Sequence, residues 1–153
     1  MAFIRHTAFT LLFVSLLTGC GSNKGDMSPE RLKKLSGKDA LEAVVPVSGT
    51  VMIDGEPQAG VNLYLYGSPP ATPLKECRTD DEGNFCWSTY TACDGLAPGN
   101  YTLGFEYVPK MKKNDSGVDL FKGKYKNPAK NEYKLTVEEG SPQTDVTYEL
   151  KLK

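Results

Sequence analysis

The sequence predicts an all-β domain, folded as a β-sandwich of seven short strands. From residue 47 onward, apolar and polar residues alternate in short runs, which is the period of strands that bury one face. The 15 glycines and 10 prolines punctuate these runs with turn signals. Aromatic residues make up 10% of the 153 residues, which suffices for the core of one domain beside a tether. Short strands joined by turn chemistry are what a β-sandwich requires.

The N-terminus is typical of a secretory leader. Arg5 precedes an apolar run at residues 8–17, as in a signal peptide. This run is too short to span a bilayer as a helix, which needs roughly 20 apolar residues. Residues 17–20 are L-T-G-C, and they resemble the lipobox of bacterial lipoproteins. The alternative is an ordinary signal peptide with a chance cysteine at its end.

The lipobox resemblance implies that the leader, residues 1–19, is removed and that Cys20 becomes the new N-terminus. In lipoproteins this thiol receives a diacylglycerol and the amino group is acylated by a fatty acid such as palmitate. Because each buried CH₂ contributes about 0.8 kcal/mol, several chains make the anchor effectively permanent. Gly21 and Ser22 follow Cys20, which favours the outer membrane by resemblance to enterobacterial sorting. The expected location is therefore the bacterial cell envelope.

Charge and histidine content exclude several classes of function. Removal of the leader takes away Arg5 and His6, which leaves 17 basic residues, 19 acidic ones and no histidine. The near balance of charge leaves no basic footprint for nucleic acid. Nucleophilic catalysis needs a base beside the nucleophile, most often histidine. We therefore expect neither enzymatic activity nor a cofactor.

A polar tether, residues 20–43, precedes the predicted domain, residues 44–153. Within it, Ser28-Pro29-Glu30 is a typical helix start, with Ser as N-cap and Pro at the first helical position. Ser36-Gly37 is a plausible end of that helix. A solvated spacer is the favoured interpretation, and a basic helix lying on lipid headgroups is the alternative.

The strands of the domain follow from alternating apolar positions between turn signals. They are predicted at residues 47–53, 61–65, 74–79, 85–88, 101–107, 133–137 and 146–152. The fourth and fifth contain the only tryptophan and are expected to be central. Residues 110–130 show no period, and loops of this length are often functional or mobile.

Four motifs in a fixed order resemble a known family. They are G-T-V-x-x-D-G-x-P at residues 49–57, T-D-x-x-G-x-F at 79–85, D-G-x-x-P-G-x-Y at 94–101 and G-K-Y-x-x-P at 123–128. Together they resemble the carboxypeptidase regulatory-like (transthyretin-like) domains, in the short lipoprotein form of planctomycete-type bacteria. The resemblance covers residues 47–152, nearly the whole domain.

The resemblance implies a seven-stranded Greek-key sandwich of the prealbumin type without a catalytic site. Such domains are adhesive, scaffolding or accessory modules at the cell envelope. Transthyretin-like hydrolases of the purine pathway use histidines and a C-terminal Tyr-Arg-Gly-Ser motif. The mature chain has neither, so that activity is not expected here.

Three cysteines remain in the domain, and an oxidising envelope favours a disulfide between two of them. If a hairpin turn is centred between Asp81 and Glu82, Cys77 lies directly across from Cys86, within cross-strand reach. Cys86–Cys93 would instead close the loop after the fourth strand. We prefer Cys77–Cys86, with Cys93 free or as the alternative partner. No C-x-x-C spacing supports zinc.

Asp80, Asp81, Glu82 and Asn84 offer the oxygen ligands that calcium prefers, but a solvated β-turn with Gly83 at positive φ is the favoured interpretation. Asp80 and Asp94 are weak candidates for paired catalytic carboxylates. No metal site is therefore expected.

Three tyrosines are candidates for a ligand surface. Tyr64, Tyr66 and Tyr90 lie off the predicted core face and would form an exposed strip that binds sugars or proteins. The favoured alternative is that they pack under the loop at residues 110–130. Expected partners are the membrane through the lipid, and envelope proteins or cell-surface polysaccharide. The leading function is a structural or protein-interaction module, and the alternative is a carbohydrate-binding module.

Overall fold

The computed structural model describes residues 28–37, 40–109 and 117–153. The predicted leader and Cys20 lie outside the described residues. Within the described ranges, no helix is long and apolar enough to cross a membrane.

One helix and eight strands make up the regular structure of the described residues. They are α1 (Pro29–Ser36), β1 (Val47–Ile53), β2 (Glu56–Pro57), β3 (Val61–Tyr66), β4 (Pro73–Arg78), β5 (Asn84–Cys86), β6 (Gly99–Tyr107), β7 (Lys134–Val137) and β8 (Gln143–Leu150). The predicted helix is confirmed, since the Ser28 side chain accepts a hydrogen bond from Arg31 N–H at 3.4 Å and Gly37 ends it at φ 66°.

The strands form two sheets, which confirms the all-β prediction. In the first sheet β1 pairs in parallel with β8 on one edge and antiparallel with β5 and β2 on the other. The second sheet is antiparallel, in the order β4-β3-β6-β7. The sandwich closes because both sheets contribute alternate side chains to one core.

Aromatic rings join the two sheets at the centre of the core. The Tyr148 ring of β8 lies 5.6 Å from Phe85 and 5.4 Å from Phe105, measured between ring centroids. Trp87 is fully buried just beyond β5, where its backbone N–H donates to Val47 O at 3.0 Å. Aromatic pairs at these separations add to the hydrophobic stabilisation of the core.

The predicted hairpin around Asp81 does not form. β4 pairs with β3 and β5 pairs with β1, so the chain crosses from one sheet to the other at this turn. Thr79 fixes the crossing: its buried hydroxyl accepts from Val61 N–H at 2.9 Å and donates to Gln58 O at 2.7 Å.

This crossing overturns the preferred disulfide. Cys77 and Cys86 lie in different sheets, so they cannot be cross-strand neighbours. Cys86 is bonded instead to Cys93, with a Cα–Cα distance of 5.2 Å, and Cys77 is free. The prediction of a disulfide is confirmed, but the Cys77–Cys86 pairing is wrong.

The described part of the long loop packs on the core. Phe121 and Tyr125 are both buried, with ring centroids 4.9 Å apart. Asp119 orders this segment by accepting backbone N–H groups from Tyr107, Phe121 and Gly123 at 2.8–3.0 Å. The segment therefore continues the core beyond β6 without forming a strand of its own.

Candidate functional site

Tyr64 and Tyr66 lie on the outer side of β3, away from the buried Leu63 and Leu65. Tyr64 is half-buried, and beside it Asn62, Glu76 and Arg78 line a groove of about 420 Å³. We call the surface formed by Asn62, Tyr64, Glu76, Arg78 and Glu106 the tyrosine face.

A chain of hydrogen bonds holds Tyr64 in place. Its hydroxyl donates to Glu106 Oε2 at 2.5 Å, and Lys126 Nζ lies 2.6 Å from Glu106 Oε1. Each carboxylate oxygen thus has a strong donor, and hydrogen bonds to an ionised group are shorter and stronger than neutral ones. The Glu106 side chain is 15% exposed, so the Tyr64 ring is fixed by a largely buried anchor.

The pKa values on this face agree with that geometry. Partial burial alone would raise the pKa of Glu106, but the hydrogen bonds from Lys126 and Tyr64 lower it below its usual range. Burial and the bond to Glu106 raise the pKa of the Tyr64 phenol. At neutral pH the face therefore carries an ionised Glu106 and a neutral Tyr64.

Arg78 is ordered by two further bonds. One guanidinium nitrogen, Nη1, donates to Asn62 Oδ1 at 3.1 Å, and Nη2 donates to Val108 O at 2.7 Å. The side chain is held across the outer face of β3 while remaining exposed. A fixed tyrosine and a fixed arginine thus lie along one groove.

Tyr66 does not belong to an exposed strip. It is only 7% exposed, and its ring lies over Gly104, where a Cβ atom would be 3.2 Å from Tyr66 Cε2 and 2.9 Å from Lys126 O. The main chain of Lys126 approaches the same glycine, so the Tyr66 ring packs beside this segment.

Tyr90 is also separate from Tyr64. Its hydroxyl accepts a hydrogen bond from Glu42 N–H at 3.0 Å. It lines a cavity of about 480 Å³ with Leu74 and Tyr101, near the point where the N-terminal segment enters the domain. The three predicted tyrosines therefore do not form one surface, and the exposed-strip prediction is wrong.

The candidate carboxylates have structural partners. Asp80 accepts backbone N–H groups from Glu82 and Asn84 at 3.0 and 2.8 Å, and Asp94 accepts those of residues 89, 90 and 91 at 2.6–2.8 Å. Both act as loop anchors, the usual role of Asp in turns. No group of three His, Cys, Asp or Glu side chains suited to a metal occurs in the described ranges.

Glu106, Arg78 and Lys126 were not among the residues predicted from the sequence. Glu106 lies on the outward positions of a recognisable alternating strand, so its exposure to that face was predictable. Its proximity to Tyr64 was not, since it depends on the register that pairs Asn62 with Glu106.

No family model and no curated protein matches the chain. Among solved structures, the crystal structure of (S)-allantoin synthase is similar to it at 11% identity and a TM-score of 0.36, over 79% of this chain and 45% of that one. The chain thus spans less than half the length of that protein, and a likeness this low carries no argument about activity.

Proposed function

We propose that this chain is a lipid-anchored envelope protein that acts as a structural or protein-interaction module and has no catalytic activity of its own. The anchor is Cys20, which the lipobox-like residues 17–20 place directly after the leader. The outer membrane is the proposed location, and envelope proteins are the proposed partners.

One observation carries the interaction role: the tyrosine face presents Tyr64 and Arg78 already ordered. Tyrosine and arginine are enriched among the residues that dominate binding energy at interfaces. Ordering a flexible side chain on binding costs about 0.5–1.5 kcal/mol. Because Glu106 and Asn62 hold these two side chains in the free protein, much of that cost is already met.

The fold we propose in detail is the seven-stranded Greek key implied by the family resemblance. β2 has two residues and pairs only with the end of β1. β2 forms a short hairpin with the end of β1 and is an addition to the seven principal strands.

The anchor is tested by labelling cells with a palmitate analogue and separating membranes from soluble material. The unaltered chain should be labelled and found in the membrane fraction, whereas Cys20→Ala should be unlabelled. Cys77→Ala is the matched control, because it also removes a free thiol yet leaves the lipobox intact. Equal labelling of the Cys20→Ala chain would contradict the anchor.

A second candidate, carbohydrate binding, is favoured by a different surface. Tyr125 and Tyr133 line a cleft of about 410 Å³ together with two lysines. Tyrosine rings have apolar faces and polar edges and suit sugars. In this candidate the sugar-binding residues are therefore not Tyr64, Tyr66 and Tyr90.

A further inference from the structure

The nearly neutral net charge conceals a strong separation of charge along the chain. Residues 40–109 contain two basic and nine acidic side chains, whereas residues 110–134 contain eight lysines and three acidic side chains. In the described ranges 117–134 and 151–153 there are seven lysines and two acidic residues. One of these two, Asp119, accepts three backbone N–H groups. The segment at residues 117–134 is therefore rich in positive charge, of which Lys126 is paired with Glu106.

Two of these lysines, Lys124 and Lys130, line a preformed cleft, which we call the lysine cleft. It is about 410 Å³ in volume and is lined by Lys124, Tyr125, Ala129, Lys130, Asn131, Glu132 and Tyr133. A volume of 300–1,000 Å³ is typical of ligand sites.

Hydrogen bonds between side chains and main chain give the lysine cleft a fixed shape. The Tyr125 hydroxyl accepts from Lys151 N–H at 3.1 Å, and the Tyr133 hydroxyl donates to Glu149 O at 2.7 Å. The Asn131 amide donates to Leu103 O at 2.8 Å and to Tyr125 O at 3.1 Å. With their hydroxyls engaged, both tyrosines form part of the cleft wall. Tyr125 is buried and has Lys124 over its ring, so the half-buried Tyr133 presents the accessible ring.

The ammonium groups around the cleft are available for a ligand. Lys124 Nζ lies 4.8 Å from the centre of the Tyr125 ring and donates to main-chain oxygens of Lys151 and Lys153 at 3.3 and 3.4 Å. Among the described residues, no hydrogen bond or ion pair involves the ammonium of Lys122 or Lys130. Glu132 is the one acidic side chain of the lining. An anionic group in the cleft would thus meet Lys130, whose ammonium has no partner among the described residues, and Lys124 beside it.

The lysine cleft lies at the end of the sandwich opposite the tether. The N-terminal segment enters where Val45 bridges Leu96, just before β1 begins. β1 is seven residues long, and its last residue, Ile53, pairs with Leu150 beside Lys151. At about 3.3 Å per residue, β1 separates the two ends by roughly 20 Å. The cleft therefore lies at the end of the sandwich remote from the point at which the N-terminal segment enters.

We propose that the lysine cleft binds a carboxylate- or phosphate-bearing polysaccharide, with Lys124 and Lys130 meeting the anionic group and the half-buried ring of Tyr133 lying against the sugar. This inference rests on the second candidate function above. It does not depend on the tyrosine face, so the failure of either site leaves the other testable.

The test is binding of the full-length chain, in detergent, to three immobilised polymers: polygalacturonate, a phosphomannan and neutral dextran. We expect binding to one or both anionic polymers and none to dextran, and the tighter anionic polymer identifies the group. Lys124→Gln/Lys130→Gln should weaken binding about threefold to tenfold, as expected for two exposed charge pairs. Raising the salt concentration should weaken the binding of the unaltered chain to the anionic polymers, because salt screens the charges.

The matched control is Lys33→Gln/Lys34→Gln, which removes the same charge from exposed positions of α1. It should bind like the unaltered chain. The single variant Lys130→Gln removes no hydrogen bond among the described residues. A loss of binding in this variant therefore cannot be attributed to a folding defect. Equal loss in both double variants, binding to dextran, or tighter binding to vesicles of anionic lipid through the same lysines would each overturn the proposal.

Discussion

Two hydrogen-bond donors stabilise the ionised carboxylate of Glu106. The stability of the tyrosine face therefore depends on pH. The pKa of Glu106 is lowered in the folded state. A carboxyl group of this kind contributes stability above its unfolded pKa, near 4.3, and that contribution is lost as pH falls through the lower folded pKa. The tyrosine face should therefore loosen in acid.

Tyr64→Phe removes the shorter of the two bonds to Glu106. We expect the free energy of unfolding at pH 7 to fall by about 1–2 kcal/mol, since the lost bond involves an ionised acceptor. The pKa of Glu106 should rise, measurable by NMR titration, and the difference from the unaltered chain should shrink at pH 3.

The control for this substitution is Tyr90→Phe, whose hydroxyl accepts from Glu42 N–H and reaches no carboxylate of the tyrosine face. Its effect on stability should not follow the titration of Glu106. A Glu106 pKa that is unchanged in Tyr64→Phe would contradict the assigned geometry.

Cys77 should be unreactive in the folded chain although it is free. Burial raises the pKa of its thiol to about 12, so almost no thiolate exists at pH 8, and the thiolate is the reactive form. In an unreduced Cys20→Ala chain, a thiol reagent should find almost no reactive thiol before denaturation and one afterwards. Three thiols after denaturation would exclude the Cys86–Cys93 bond.

At the scale of single elements, the loop that follows β5 is held at both its ends. Cys86–Cys93 closes it, and Gly95 lies against the chain where the N-terminal segment enters. Gly95 has φ 107°, and a Cβ atom there would overlap the carbonyl group of Val45. Residues other than glycine rarely adopt such a conformation.

Gly95→Ala should therefore be severely destabilising, by more than about 3 kcal/mol, because the clash is with main chain that cannot move aside. Gly140→Ala is the matched control: its φ of 70° is also positive, but a Cβ atom there meets nothing within 4 Å. It should cost only about 1–2 kcal/mol. Denaturant unfolding of both variants measures the difference, and equal costs would contradict the close approach.

Loss of the disulfide should lower the free energy of unfolding by a predictable amount. Closure of a loop of this length contributes roughly 2–3 kcal/mol through the entropy of the unfolded chain. Cys86→Ser/Cys93→Ser should lower the free energy of unfolding by that amount, and reducing agent should then have no further effect. A double variant as stable as the unaltered chain would show that the bond constrains little.

Element by element, the sequence predicted strands better than it predicted their partners. Alternation located β1, β3, β6 and β7 closely, because each buries one face. It could not assign β4 and β5 to different sheets, since a turn of Asp, Glu and Gly serves a hairpin or a crossing equally well. The Cys77–Cys86 error followed directly from that ambiguity.

The candidate sites were less predictable than the fold. Phe121 and Tyr125 are buried without any strand period, because Asp119 and Asn131 order their segment through side-chain bonds to main chain. The Tyr64–Glu106–Lys126 chain joins residues 42 and 20 positions apart. No local sequence pattern predicts contacts between residues so far apart in the chain.

At the scale of the whole molecule, the proposed functions occupy different parts of one sandwich. The N-terminal segment enters at the Val45–Leu96 bridge, the lysine cleft lies at the opposite end, and the tyrosine face occupies the outer side of the second sheet. Such an arrangement would let an anchored domain engage a protein at its side and a polymer at its tip.

The most direct test of the interaction role is photo-crosslinking in the cells that make the protein. A photoreactive residue would replace Glu76, which is exposed on the tyrosine face, or Glu149, which is exposed on the first sheet. Products would be identified by mass spectrometry. We expect one discrete protein adduct from position 76 and none from position 149. No adduct at position 76, or the same adducts from both positions, would contradict it.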